Sequence, residues 1–311
     1  MAIKNINFIF FGTPDVASET LEILKENGYI PSLIVTAKDM PQGRKMLITP
    51  PPVKVWAIEN NIPYIQPEDL REGSDIVFRN IGRRDGPSIA IHQQADMCGF
   101  KNNFQPDLFL VVAYGKIIPE SLLNLPKFGS LNIHYSLLPK YRGASPVESA
   151  ILAGDIETGI SIQKMIYKMD AGPIVAQEKV SILPDEKASE LRTRLIKIGG
   201  ELLVKTLNTT PSLLPLTKGE VQKAEGVFSL TPQDETQATY CKKIKKEDGL
   251  IDLSDDPIKN YNKFRAYATW PRTFFFKEGK RIIITDARLE NGKLKILKVI
   301  PEGGKKMDYK N

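Results

Sequence analysis

Asp107-Leu108-Phe109-Leu110-Val111-Val112-Ala113 is continuously apolar after its aspartate. That is the pattern of a strand buried on both faces, as in a parallel sheet covered by helices. Before it, residues 7–11 form a short apolar run that ends in Gly12-Thr13-Pro14-Asp15. Ala17, Leu21 and Leu24 then recur at helical spacing as far as Asn27-Gly28. Residues 29–36 read as a second strand, 52–60 as a helix opened by proline, and 63–65 as a short strand. After it, residues 131–134 and 159–165 read as strands with a helix at 146–153 between them. Strands alternating with helices in this order specify an α/β fold, a Rossmann-like open parallel sheet. Such sheets bind ligands beyond the carboxyl ends of their strands.

Residues 190–207 form a strongly periodic helix, with Leu191, Leu195, Ile198, Leu202 and Leu203 on one side. Pro211 and Pro215 follow and mark a linker at about 208–220. Beyond it, residues 273–276, 281–285 and 294–300 are short strand-like segments separated by glycines, which predicts a small, OB-like β-barrel. The chain therefore divides into a domain over 1–207 and a second over 208–311. Residues 73–103 include Gly82-Arg83-Arg84-Asp85-Gly86 and have only weak periodicity, so no element is assigned there.

Composition narrows the function. The chain is 41% hydrophobic and 26% charged, with no apolar run near the ~18 residues of a membrane span. The start lacks the long apolar core and small-residue cleavage site of a secretory signal. A cytoplasmic protein with no membrane association is expected. Cys98 and Cys241 are too far apart in the chain to suggest a disulfide framework, and no Cys/His cluster has metal-ligand spacing. Residues 1–207 carry 23 Lys+Arg and 23 Asp+Glu, whereas 208–311 carry 20 and 14, so the whole formal charge of +6 sits in the last third. A basic module beside a neutral one suits a polyanionic partner, nucleic acid first; a solubilising lysine-rich surface is the alternative.

The stretch most suited to chemistry is residues 131–143, Leu-Asn-Ile-His-Tyr-Ser-Leu-Leu-Pro-Lys-Tyr-Arg-Gly, completed by Asp170 36 residues after His134. Asn132 and His134 are two apart on a strand and point to the same face. They sit where the strand ends and a Pro/Gly-containing loop begins, at the sheet's ligand edge. Acyl transfer to an amine develops an oxyanion, which an amide donor and an imidazole can hold. A neighbouring carboxylate can orient the imidazole and help move the amine's proton. The chain has two histidines, His92 and His134. On residue type alone a histidine is more often structural than catalytic, but His134 alone lies at a predicted strand end beside a polar partner, which makes the two readings about equal for it.

The runs NIHYSLLPKYRGASP (132–146), AGDIETGISI (153–162) and MDAGPI (169–174) resemble the signature of the 10-formyltetrahydrofolate-dependent formyltransferases. FGTPDVA (11–17), PPVKVWA (51–57) and VVAYGKIIP (111–119) are similar to the same family in the same order. The resemblance implies catalysis by Asn132, His134 and Asp170, and 10-formyltetrahydrofolate as co-substrate with no metal. It implies folate contact by Ser136, Leu137, Leu138 and Pro139, and a pterin-pocket wall that includes Val112, Tyr114 and Gly115. Pro41-Gln42-Gly43-Arg44-Lys45 and Ala268-Thr269-Trp270-Pro271-Arg272 resemble the tRNA-acting branch. That implies an enzyme acting on initiator methionyl-tRNA, with Arg44 and Lys45 toward the acceptor stem; a monomer is expected. Lys242, Lys243, Lys245 and Lys246 either line the tRNA path or form a solvated charge run. In three places the chain departs from the family pattern. The Arg44 loop is one residue shorter, residues 73–103 are longer, and members generally continue several residues past the equivalent of Asn311. Two rivals remain: a formyltransferase acting on an amino sugar nucleotide, and an inert RNA-binding protein on an enzyme fold.

Overall fold

The computed structural model describes residues 6–43, 45–68, 70, 106–209 and 228–309. The strands in chain order are β1 (Phe8–Gly12), β2 (Leu33–Val35), β3 (Met40–Gln42), β4 (Leu47–Thr49), β5 (Tyr64–Ile65), β6 (Leu108–Val112), β7 (Ser130–His134), β8 (Arg142–Gly143), β9 (Glu157–Lys164) and β10 (Ile174–Ser181). They continue with β11 (Tyr240–Cys241), β12 (Phe274–Lys277), β13 (Lys280–Glu290), β14 (Lys293–Pro301) and β15 (Met307–Asp308). The helices are α1 (Asp15–Glu26), α2 (Pro52–Glu59), α3 (Glu120–Leu123), α4 (Pro146–Ala153), α5 (Ala188–Thr209) and α6 (Pro257–Ala266).

One seven-stranded sheet runs in the order β10-β9-β7-β6-β1-β2-β5. Every residue of β1 and β6 is buried, which accounts for their unbroken apolar sequences. β1 pairs parallel with β2 on one side and with β6 on the other, and β6 pairs parallel with β7. From β1 the chain builds first toward β2 and β5 and then returns to β6 on the opposite side, so the sheet's switch point lies between β1 and β6. The core on one face gathers Ile9, Phe11, Val35, Phe109, Val111 and Tyr114. Phe11 meets Phe109 and Tyr114 with ring centroids 4.9 and 5.5 Å away.

The sheet is mixed, where the alternation of strands and helices suggests a wholly parallel one: β9 pairs antiparallel with β7. The reason lies in the connection. After β7 the chain pairs Arg142–Gly143 with Tyr240–Cys241, and α4 then packs against α6. It is not the sheet-covering crossover that a parallel βαβ unit requires.

The chain packs as two compact units, each assembled from separated segments. The first comprises Met1–His134, Ser161–Gln177 and Ile196–Gln233, and the second Tyr135–Ile160, Glu178–Leu195 and Asp234–Asn311. In the second, β12, β13, β14 and β15 form a four-stranded antiparallel sheet in sequence order. Its hairpins turn on Glu278-Gly279 and Asn291-Gly292. All four residues have positive φ, as two-residue turns that match strand twist require. Tyr261 and Phe264 of α6 share a core with Phe275, Ile282, Ile284 and Val299. The Asp256 carboxylate caps α6, accepting from the backbone N–H groups of Ile258 and Lys259. The expected linker at 208–220 overlaps α5 only at residues 208–209; its remainder, like 73–103, lies outside the described residues.

Candidate active site

Two strands with complementary alternation build the site. In β7, Asn132 and His134 flank Ile133; in β9, Ser161 and Gln163 flank Ile162. The antiparallel register sets Asn132 opposite Gln163, Ile133 opposite Ile162, and His134 opposite Ser161. Directly opposed residues share a face, so four polar side chains stand together on one side and the isoleucines on the other. His134 is buried at 5% exposure, and Ser161 and Gln163 are buried too.

Asp170 reaches this row from the loop after β9. Its Oδ2 lies 3.6 Å from Nδ1 of His134, and its Oδ1 accepts a hydrogen bond from Nε2 of Gln163 at 2.9 Å. The loop is held tightly. Asp170 has φ +49°, a left-handed conformation that aspartate tolerates better than most residues. Nε2 of Gln233 donates to the carbonyls of Asp170 and Gly172 at 2.9 and 2.6 Å. Gly172 lies against the backbone of Lys164 so closely that a Cβ would overlap the Lys164 carbonyl oxygen. The structure thus brings His134 and Asp170 together, with Asn132 two residues before His134 on the same face of β7.

Val112, Tyr114 and Gly115 lie at and just past the end of β6, beside the switch point. Val112 is paired with Gly12, and the Thr13 hydroxyl donates to the Tyr114 carbonyl at 3.1 Å. The Tyr114 side chain is buried, and its hydroxyl has no hydrogen-bond partner among the described residues. Burial also pushes that phenol up to about 12. At Gly115, φ is +80°, and among the described residues no atom comes within 4 Å of where a side chain would begin.

Ser136, Leu137, Leu138 and Pro139 follow β7 and belong to the second unit. The Ser136 hydroxyl donates to the Lys140 carbonyl at 2.5 Å, Leu138 is buried, and the Leu138–Pro139 peptide is cis. In the same unit the Tyr141 hydroxyl donates to Asp155 at 2.8 Å. Burial, reinforced by that carboxylate, pushes its phenol far up.

Lys45 is exposed at the tip of the β3–β4 hairpin, together with Met46, Leu47 and Ile48. Arg44 lies outside the described residues. Lys242, Lys243, Lys245 and Lys246 are all exposed, just after β11. Among the described residues no group of three or more His, Cys, Asp or Glu side chains could hold a metal ion. No helix among them is long and apolar enough to cross a membrane.

Gln163 and Gln233 touch Asp170 but do not stand out in the sequence. A signal for Gln163 exists in Ser161-Ile162-Gln163, polar residues alternating within an otherwise apolar strand. Recognising it requires knowing that β9 lies against β7. For Gln233, in irregular chain 63 residues beyond Asp170, the sequence carries no signal.

Residues 4–207 match the family described as "Formyl transferase", and residues 243–295 match "Formyl transferase, C-terminal domain". A methionyl-tRNA formyltransferase of Sulfurihydrogenibium sp. is 35% identical over 90% of this chain and 79% of its own length. That of Halalkalibacterium halodurans is 37% identical over 88% and 76%. Among solved structures, methionyl-tRNA formyltransferase from Clostridium thermocellum superposes with a TM-score of 0.58 at 18% identity, covering 98% of this chain and 100% of that one. A 4-N formyltransferase from Francisella tularensis superposes with a TM-score of 0.61 at 18% identity, covering 90% and 97%. At such identities both structures speak to the fold alone. The sequence relatives go further: this chain is an enzyme belonging to the formyl transferase family, in the branch of the methionyl-tRNA formyltransferases.

Proposed function

We propose that the protein transfers the formyl group of 10-formyltetrahydrofolate to the α-amino nitrogen of methionine esterified to initiator tRNA. The observation that carries this reading is the approach of His134 Nδ1 to within 3.6 Å of the Asp170 carboxylate, with Asn132 on the same face of the strand that carries His134. With Nδ1 turned to Asp170, Nε2 is the ring nitrogen that addresses the reacting group. As the neutral amine forms its bond to the formyl carbon, Asn132 and protonated His134 donate hydrogen bonds to the oxygen that gains charge. Asp170 holds the imidazolium and accepts the proton that the amine sheds. That proton then passes to the folate nitrogen, whose bond to the formyl carbon breaks.

The folate co-substrate supplies the activated one-carbon unit. Tyr114 offers it a buried hydroxyl with no partner among the described residues, and Gly115 lies beside it at the switch point where such sheets bind ligands. Ser136, Leu137, Leu138 and Pro139 are assigned to folate contact on the family resemblance. Catalysis is assigned to residues 1–207 and tRNA binding to 208–311, with Arg44 and Lys45 at the acceptor end. The protein works in the cytoplasm as a monomer, for which light scattering of the purified chain should give a mass of about 35 kDa.

Sugar N-formyltransferases share the fold, so the acceptor must be tested directly. Offered methionyl-tRNA and amino sugar nucleotides side by side with 10-formyltetrahydrofolate, the protein should formylate the tRNA. Turnover of the sugar nucleotide alone would overturn the assignment.

Replacing Lys242, Lys243, Lys245 and Lys246 by glutamine should raise KM for methionyl-tRNA. It should also flatten the slope of log(kcat/KM) against log salt by roughly 3, for four lost phosphate contacts. Folate affinity should stay unchanged. Arg44→Ala should instead lower kcat/KM at an unchanged salt slope, because positioning the amine does not depend on counterion release. Wild-type height and slope in both variants would count against tRNA contact at these positions.

A further inference from the structure

Gln163 plays no part in the chemistry derived above, yet its surroundings are hard to explain by packing. It is 2% exposed and lies directly opposite Asn132 across the β7–β9 pair. Its Nε2 donates to Oδ1 of Asp170 at 2.9 Å, while its Oε1 is fully buried with no hydrogen-bond partner among the described residues. An ionised carboxylate only accepts hydrogen bonds, so it dictates which way the amide points: NH2 toward Asp170, carbonyl away. That carbonyl consequently goes unsatisfied, and a buried unpaired acceptor costs roughly 1–3 kcal/mol. An apolar side chain of equal length would fill the space without that penalty. A residue kept at a cost to stability beside reacting groups is characteristic of functional sites.

We propose that Gln163 is a positioning residue for formyl transfer, acting through Asp170. The two oxygens of Asp170 have separate tasks. Oδ2 faces His134, and Oδ1 is held by the Gln163 amide, which stops the carboxylate rotating away from the imidazole. The backbone bonds from Gln233 fix the loop, whereas Gln163 donates to the carboxylate itself. The proposal rests on the assignment of Asp170 to the reaction.

The test is a double-mutant cycle with measured stability. Gln163→Met keeps the length and removes the donor. It should lower kcat at least 10-fold, leave KM for methionyl-tRNA and folate within about twofold, and leave Tm equal or higher. In an Asp170→Ala background it should cause no further loss, because the group it orients is already gone. Should the methionine variant fail to fold, Gln163→Glu carries the test. It keeps the shape while setting a second carboxylate against Asp170, and should lower kcat at least as far. Wild-type kcat in the folded variant would overturn the proposal, as would a loss that multiplies with that of Asp170→Ala or that accompanies a lowered Tm. If Asp170→Ala itself retained full activity, the assignment of Asp170 would fail first, which separates the two failures.

Discussion

His134→Ala should lower kcat for formyl transfer by roughly 10²-fold or more while KM for methionyl-tRNA changes little. His134 is buried on a central strand, and by the mechanism above its interaction with the formyl oxygen strengthens only as that oxygen gains charge. Its loss therefore appears in kcat and kcat/KM together and not in ground-state binding. Asp170→Ala should cost a similar factor, since without the carboxylate the imidazole loses both orientation and charge support. The double variant should be little slower than the slower single one, because both residues serve one transition state. Single-turnover formylation of methionyl-tRNA, with enzyme in excess, checks this without interference from product release. Near-wild-type turnover by His134→Ala would remove the imidazole from the mechanism, and strictly multiplicative losses would mean that the pair does not act as a unit.

Gly172→Ala should be the most damaging substitution outside the reacting groups. A Cβ at this position overlaps the Lys164 carbonyl oxygen. The obstacle is backbone in a paired strand, so no rotamer change can relieve it. The loop from Met165 to Gly172 must move outward, and Asp170 moves with it. The same shift pulls the Gly172 and Asp170 carbonyls from Gln233, which binds both. Overpacking of this kind costs about 1–3 kcal/mol, or roughly 2–4 °C in Tm for a chain of this size. The catalytic penalty is larger, since displacement of a reacting group by about 1 Å can cost ~10²-fold. We expect a folded protein with kcat lowered by that order and folate binding retained. Circular dichroism with single-turnover kinetics would check both halves. A variant with lowered Tm but unchanged kcat would show that the loop can shift without carrying Asp170 away from His134.

Much of this architecture is local in origin and was legible in the residues. The apolar run of β6 needed only its own composition to read as a doubly buried strand, because burial on both faces removes the usual alternation. The Asn-Ile-His alternation put Asn132 and His134 on one face, since successive strand residues point to opposite sides. The periodicity of α5 and the apolar strands of the C-terminal unit followed from the same local rules. The sequence names Asp170 as a candidate and the resemblance implies its role, but its φ of +49° and its approach to His134 depend on a loop packed against β9.

Tertiary structure decided what depended on direction and register. A side-chain pattern reads the same whichever way a strand runs, so β9 could not be recognised as antiparallel to β7. Only that direction, in this register, brings Gln163 across from Asn132 and within reach of Asp170. The join of Gln233 to the Asp170 loop spans about sixty residues, and the Tyr114 hydroxyl, unpartnered among the described residues, lies where the ends of β1 and β6 meet. Such contacts link segments far apart in the chain and are selected by the packing of the whole sheet. The sequence alone determined which side chains a strand turns to the ligand edge; the fold decided which of them meet.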